Sequence, residues 1–259
     1  MLRAWIEARQ VTPPAIWGKL PGHADFVRSG VRHRESEGWA PWLAQVAEWE
    51  AGYGDASGAG QGATAVPVAF VLPPRTLAFA PRRFVVGVIA PSSDRVGRQH
   101  PLLVYQLARP GWVRRQFDLQ AHTSRDWLFW LARAVARQLG QAEGADMQPL
   151  ERLVDGLWAV HSGESRRRPR PVPSQRREPP KPQADAQAAA AQALLDELAG
   201  PAPAHDPAAQ LHGVRHLPWA DWPQRLLSAR PGPVFWQQDA DGGYVNAATS
   251  LAQLWSRLP

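Results

Sequence analysis

Residues 83–108 read RFVVGVIAPSSDRVGRQHPLLVYQLA, and this stretch decides the fold. RFVVGVIA (83–90) and LLVYQLA (102–108) are short runs rich in β-branched and aromatic residues, each bounded by Pro. Such runs form strands. The connection PSSDRVGRQHP (91–101) is rich in turn formers and longer than a tight hairpin. It permits antiparallel pairing without forcing it.

Working outward, VAFVL (68–72) is a further strand, and LAFA (77–80) a weaker one. Upstream, AIWGK (15–19) reads as a strand entering a turn at Pro21-Gly22, with another turn at Gly30. Trp39, Trp42, Leu43, Val46 and Trp49 share one helical face, which predicts an amphipathic helix over 36–50. Pro41 would have to lie in its first turn. Residues 52–65 are Gly- and Ala-rich and read as a loop.

Downstream, Trp127, Leu128, Leu131, Val135 and Leu139 line one side of a helix over 124–139. Thr123 and Asp126 suggest a capping box there, and Gly140 a stop. A shorter helix is expected at 147–160. Near the C-terminus, PVFWQ (233–237) reads as a strand, followed by a DGG turn and a last helix near LAQLWSRL.

The predicted fold class is α+β: a mixed, largely antiparallel sheet flanked by helices, with a disordered basic Pro-rich insert. The expected organisation is a domain over 12–160 and a linker over 161–183. A marginal Ala-rich helix and linker follow over 184–210, and then a C-terminal strand and helix over 211–259. The last 49 residues make a poor independent core, so they are expected to return to the same sheet.

Composition narrows the function. There is no Cys among the 259 residues, which excludes disulfides, cysteine catalysis and thiolate metal sites. The start, MLRAWIEARQ, lacks the apolar core of a signal peptide, and no stretch reaches the ~20 apolar residues of a spanning helix. A soluble cytoplasmic protein without membrane insertion is therefore expected. Thirteen Trp residues suit a core or a protein interface. The formal net charge is +6. Residues 164–183 carry seven positive and two negative side chains, so five of those six charges sit in one Pro-rich segment. That segment lacks the interleaved aromatic residues that stack on bases, so no nucleic acid is expected as a partner.

Two segments carry a family resemblance. WGKLPGHADFV (17–27) is similar to a "GKLPxxGDFV" opening, and PSSDRVGRQHPL (91–102) to a "PSxDxVGRxxPL" stretch. In order between them stand Trp39, Trp42 and the run before RFVVGVIAPS. With them the chain resembles the TagF (ImpM-like) family over residues 15–140, with a weaker echo at 211–259. It departs at Ala24, where Gly is usual before the Asp, and at His100, where an aromatic residue is common. The basic insert and the Ala-rich segment are its own.

The resemblance implies a cytoplasmic, non-enzymatic accessory protein of type VI secretion, acting after translation. Members resemble brakes that bind the forkhead-associated scaffold protein, and other secretion components are possible partners. Some are fused to a PppA-like phosphatase, and nothing here looks like one.

The candidate partner-binding or loop-structuring residues are Gly18, Lys19, Pro21, Gly22, Asp25 and Phe26 in the first segment, and Asp94, Arg95, Gly97, Arg98 and Pro101 in the second. Asp25 is expected to pin its loop or pair with Arg95 or Arg98. Both Arg residues have a second reading, contact with a partner's carboxylate or phosphorylated residue. A hydrolase using Asp25, His23 and Asp94 is an alternative, but no nucleophile elbow, H-E-x-x-H or P-loop occurs, so no catalytic residue is assigned. A second alternative is an anionic surface or nucleic acid bound through the basic linker. No cofactor is called for. His205, His212 and His216 lack the helix that would align them, so no metal is expected.

Overall fold

The computed structural model describes residues 10–51, 66–120, 125–140, 145–164 and 228–255, with single positions at Ala193, Asp196 and Leu226. The loop at 52–65, Thr123, the basic linker from 165 on, most of the Ala-rich segment and the three later His residues lie outside the described residues.

Seven strands form one sheet: β1 (Ala15–Gly18), β2 (Val27–Ser29), β3 (Val68–Leu72), β4 (Phe84–Ala90), β5 (Leu102–Ala108), β6 (Val234–Gln238) and β7 (Tyr244–Ala248). Their spatial order is β2-β1-β5-β4-β3-β6-β7. Every pair is antiparallel. β4 and β5 form the centre, in register from Phe84 opposite Ala108 to Ala90 opposite Leu102. β6 pairs with β3, so residues far along the chain complete the sheet.

Helices cover both faces. On one lie α2 (Pro110–Gln120), α3 (Trp127–Leu139) and α4 (Met147–Glu164). They pack against Val86, Val88, Leu102 and Val104. On the other lie α1 (His33–Ala51) and α5 (Leu251–Trp255), whose Trp39, Leu43, Leu251 and Leu254 meet Phe70, Val85, Ile89 and Tyr105. The alternation along β4 between the two clusters is the period-two geometry of a strand. Because both faces are covered, every residue of β4 and β5 is buried. That is why these strands read as continuous apolar runs and not as apolar/polar alternation.

Several local expectations need correction. LAFA (77–80) is a turn: Arg75 adopts φ 74°, and the amide of Ala80 donates to the Leu77 carbonyl. Leu77 and Ala80 are apolar because they are buried, not because they pair in a sheet. α1 begins three residues earlier than expected, so Pro41 lies inside the helix and not in its first turn. A helix-interior Pro costs about 3 kcal/mol. Burial of Trp39 between Phe70, Phe79 and Tyr105, at ring-centroid distances of 6.0, 5.7 and 5.2 Å, offsets it. Residues 161–164, expected to open the linker, are helical, since α4 runs on to Glu164. Strands β2 and β7 and helix α2 were not anticipated.

α3 starts at Trp127, not at 124, and its N-cap is Asp126, whose Oδ1 accepts from the Phe129 amide at 3.1 Å. Burial pushes this carboxyl up to about 7, against the hydrogen bonds from the Phe129 and Leu128 amides and from Gln116. The unfolded chain ionises near 3.8. Between these values the folded state keeps a proton that the unfolded state has released, so the contribution of Asp126 to stability is largest below 3.8 and falls as pH rises to 7. Asp126→Asn keeps a cap of equal quality without the charge. Urea denaturation should show the variant more stable by about 4 kcal/mol at pH 8 and by less than about 1 kcal/mol at pH 4.

Candidate functional site: two interlocked loops

The candidate residues gather at one end of the sheet, and topology explains why. Loop 19–26 joins β1 to β2, and loop 91–101 joins β4 to β5. Since β1 pairs with β5 as well as β2, the two loops leave the sheet side by side.

Gly18 makes that closeness possible. It holds φ +140°, and a Cβ there would sit 2.1 Å from the Pro101 carbonyl oxygen and 2.8 Å from the Leu102 Cα. Only Gly allows the two backbones to approach in this way.

Asp94 binds the loops together. Its side chain is fully buried, and its Oδ2 accepts from Lys19 Nζ at 3.0 Å and Arg98 Nε at 2.6 Å. Its Oδ1 accepts from the backbone amides of Val96 at 3.1 Å and Arg98 at 2.9 Å. Burial opposes ionisation of this carboxyl, but the hydrogen bonds from Lys19, Arg98 and Val96 outweigh it and hold the group well below the ordinary carboxylate range. Lys19 is itself buried, so each charge is the other's compensation. Arg98 is 62% exposed, and its ion pair is the weaker of the two.

Further hydrogen bonds cross between the loops. Arg98 Nη2 donates to the Ala24 carbonyl at 2.6 Å. Ser92 Oγ donates to the Lys19 carbonyl at 2.8 Å, and the Arg95 amide to the His23 carbonyl at 2.8 Å. Gly97 turns the second loop with φ +86°. Ala24 is not at positive φ, so the turn tolerates it in place of Gly. His100 packs its ring edge-on against Trp17 and Phe26, at centroid distances of 4.9 and 4.6 Å. It fills an aromatic role, and burial keeps its pKa below the ordinary value.

Of the two roles expected for Asp25, the geometry gives the local one: it accepts from the Phe26 amide of its own loop, at 2.8 Å, while Arg98 pairs with Asp94. His23 meets Asp146, at 3.0 Å from Nε2 to Oδ1, while the Gly22 amide donates to the Ala145 carbonyl at 3.0 Å. These contacts tie loop 19–26 to the start of α4. The sequence offered no sign of them, because the His23 and Asp146 positions are 123 residues apart. His23, Asp25 and Asp94 thus each bond to a different partner and form no base–orienter chain. Pro21 and Pro101 bracket the loops, half-buried.

What the loops present outward differs from what holds them. Among the described residues the exposed large hydrophobic side chains are Phe26 (39%) and Val96 (66%), one on each loop. Arg95 and Gln99 are exposed around them. No group of three or more His, Asp or Glu side chains among the described residues could hold a metal ion. No helix among them is long and apolar enough to cross a membrane.

The crystal structure of PA0076 from Pseudomonas aeruginosa PAO1 is 25% identical, with 70% of this chain and 78% of that chain covered at a TM-score of 0.44. No curated protein matches. The family model of the TagF N-terminal domain, described as type VI secretion system-associated, matches residues 15–157. That span holds both loops, five of the seven strands and most of α4, and the chain belongs to the TagF family of type VI secretion system-associated proteins.

Proposed function

We propose that this protein is a post-translational repressor of type VI secretion, working in the cytoplasm by binding the forkhead-associated scaffold protein and doing no covalent chemistry. The observation that carries the reading is the division of labour in the paired loops. Lys19, Asp94 and Arg98 are spent on locking the loops together, and Phe26 and Val96 are left facing solvent on that frame. A rigid surface with exposed apolar side chains suits binding, because little ordering cost remains to be met on association. The candidate catalytic set of His23, Asp25 and Asp94 is not assembled, since each is engaged by a different partner: Asp146, the Phe26 amide, and Lys19 with Arg98.

Affinity purification of the tagged chain from cells that make the secretion system should bring down the scaffold protein. Deleting the gene should raise secretion. If the scaffold is absent from the purified material and secretion is unchanged on deletion, the proposal is wrong.

A further inference from the structure

Arg95 stands apart from the other charged groups of the paired loops. Lys19 and Arg98 are both bound to Asp94. Asp25 is turned to the Phe26 amide and Asp146 to His23. The Arg95 backbone is fixed, its amide donating to the His23 carbonyl at 2.8 Å. Its guanidinium is exposed and forms no ion pair among the described residues. The next residue, Val96, is the most exposed large hydrophobic side chain described, at 66%. Its own backbone is held by Asp94 Oδ1. A cation and an apolar group are therefore consecutive exposed residues of a turn whose amides are hydrogen-bonded, with Phe26 exposed on the neighbouring loop.

We infer that the surface centred on Arg95 and Val96 recognises an acidic segment of a protein partner that also presents an apolar side chain. The charge argues for an anionic partner, since an unpaired guanidinium on a fixed backbone loses little freedom on meeting a carboxylate. The apolar pair argues for a protein over a nucleic acid. Val96 offers no face for a base, and the Phe26 ring is already packed by Trp17 at 5.7 Å and by His100 at 4.6 Å. The inference rests on the proposed scaffold binding only for the partner's identity; the chemistry of the surface stands by itself.

Two variants touch the surface without touching the lock. Arg95→Glu leaves the backbone contact to His23 intact, and Val96→Asp leaves the amide that bonds Asp94. Both should keep the wild-type melting temperature. Calorimetry of the full chain with purified scaffold protein should show at least a tenfold weaker affinity for each, and Arg95→Lys should lose less than Arg95→Glu. The salt dependence of binding should also flatten in Arg95→Glu.

A second arm does not need the scaffold. A short peptide alternating Glu with Leu should shift the amide resonances of residues 95 and 96 in the full chain, and its Lys/Leu counterpart should not. Scaffold binding that is unchanged in both variants would overturn the surface assignment and leave the repressor reading standing. A wild-type chain that ignores the scaffold but responds to the acidic peptide would do the reverse. A response to single-stranded RNA in place of the acidic peptide, lost in Arg95→Glu, would overturn the inference in favour of a nucleic-acid surface.

Discussion

Asp94→Ala should lower the melting temperature by roughly 10 °C, the scale expected when one partner of a buried ion pair is removed from a domain of this size. The lost attraction is the smaller part of the effect. The substitution leaves the Lys19 ammonium almost fully buried with no counter-ion, and the Arg98 carbonyl, at 3.4 Å, is the one acceptor that remains to it. It also frees the amides of Val96 and Arg98, which Asp94 Oδ1 now satisfies. The cost is therefore chiefly that of a stranded buried ammonium, with two freed amides added to it. Adding Lys19→Met should recover part of the loss, because the orphaned charge goes with it. A double-mutant cycle by thermal denaturation separates the pair's coupling from the loop's hydrogen bonds. If Asp94→Ala melted within about 2 °C of the wild type, Asp94 would not be the tie between the loops.

The same residue shows how far the sequence could be read. That Asp94 belongs to a turn follows from PSSD, because short polar side chains accept backbone N–H bonds. That it also neutralises Lys19 does not follow, since the two are 75 residues apart and meet only once β1 has paired with β5. Strands β4 and β5 were legible because double-sided burial makes them uniformly apolar. Strand β2, with sequence VRS, was not: three residues with only Val27 buried give no period to detect. Strand β7 reads YVNAA and buries only its two ends, so its pattern is equally faint. α2 was missed because Pro110 reads as a break where it is the first residue of a helix. That Asp25 could be read either as pinning its own loop or as pairing with Arg95 or Arg98 has the same origin as the missed Lys19–Asp94 bond. Sequence gives the charges but not the neighbours, and two adjacent loops offer several equivalent pairings until the backbone selects one.

Gly18→Ala should be the more damaging of two superficially similar changes, the other being Gly97→Ala. Both Gly residues have positive φ, at 140° and 86°, and both lie in the segments that carry the family motifs. At Gly97 a Cβ meets nothing within 4 Å, so the cost is backbone strain alone, about 1 kcal/mol. At Gly18 the same strain is joined by a Cβ 2.1 Å from the Pro101 carbonyl oxygen. The obstacle is backbone, not the tip of a flexible side chain, so relief requires β1 and β5 to separate. Separation would move Lys19 away from Asp94 and pull apart the aromatic contact of Trp17 with His100. The loss at Gly18 should therefore reach several kcal/mol, enough to leave little folded protein if the chain is as marginally stable as most domains. Limited proteolysis and circular dichroism would show Gly97→Ala folded and Gly18→Ala largely not. If both variants melted alike, the close approach of the two strands would be something the sheet can absorb. Loop position would then depend on the Asp94 tie alone, and Asp94→Ala would have to displace the loops without unfolding the sheet.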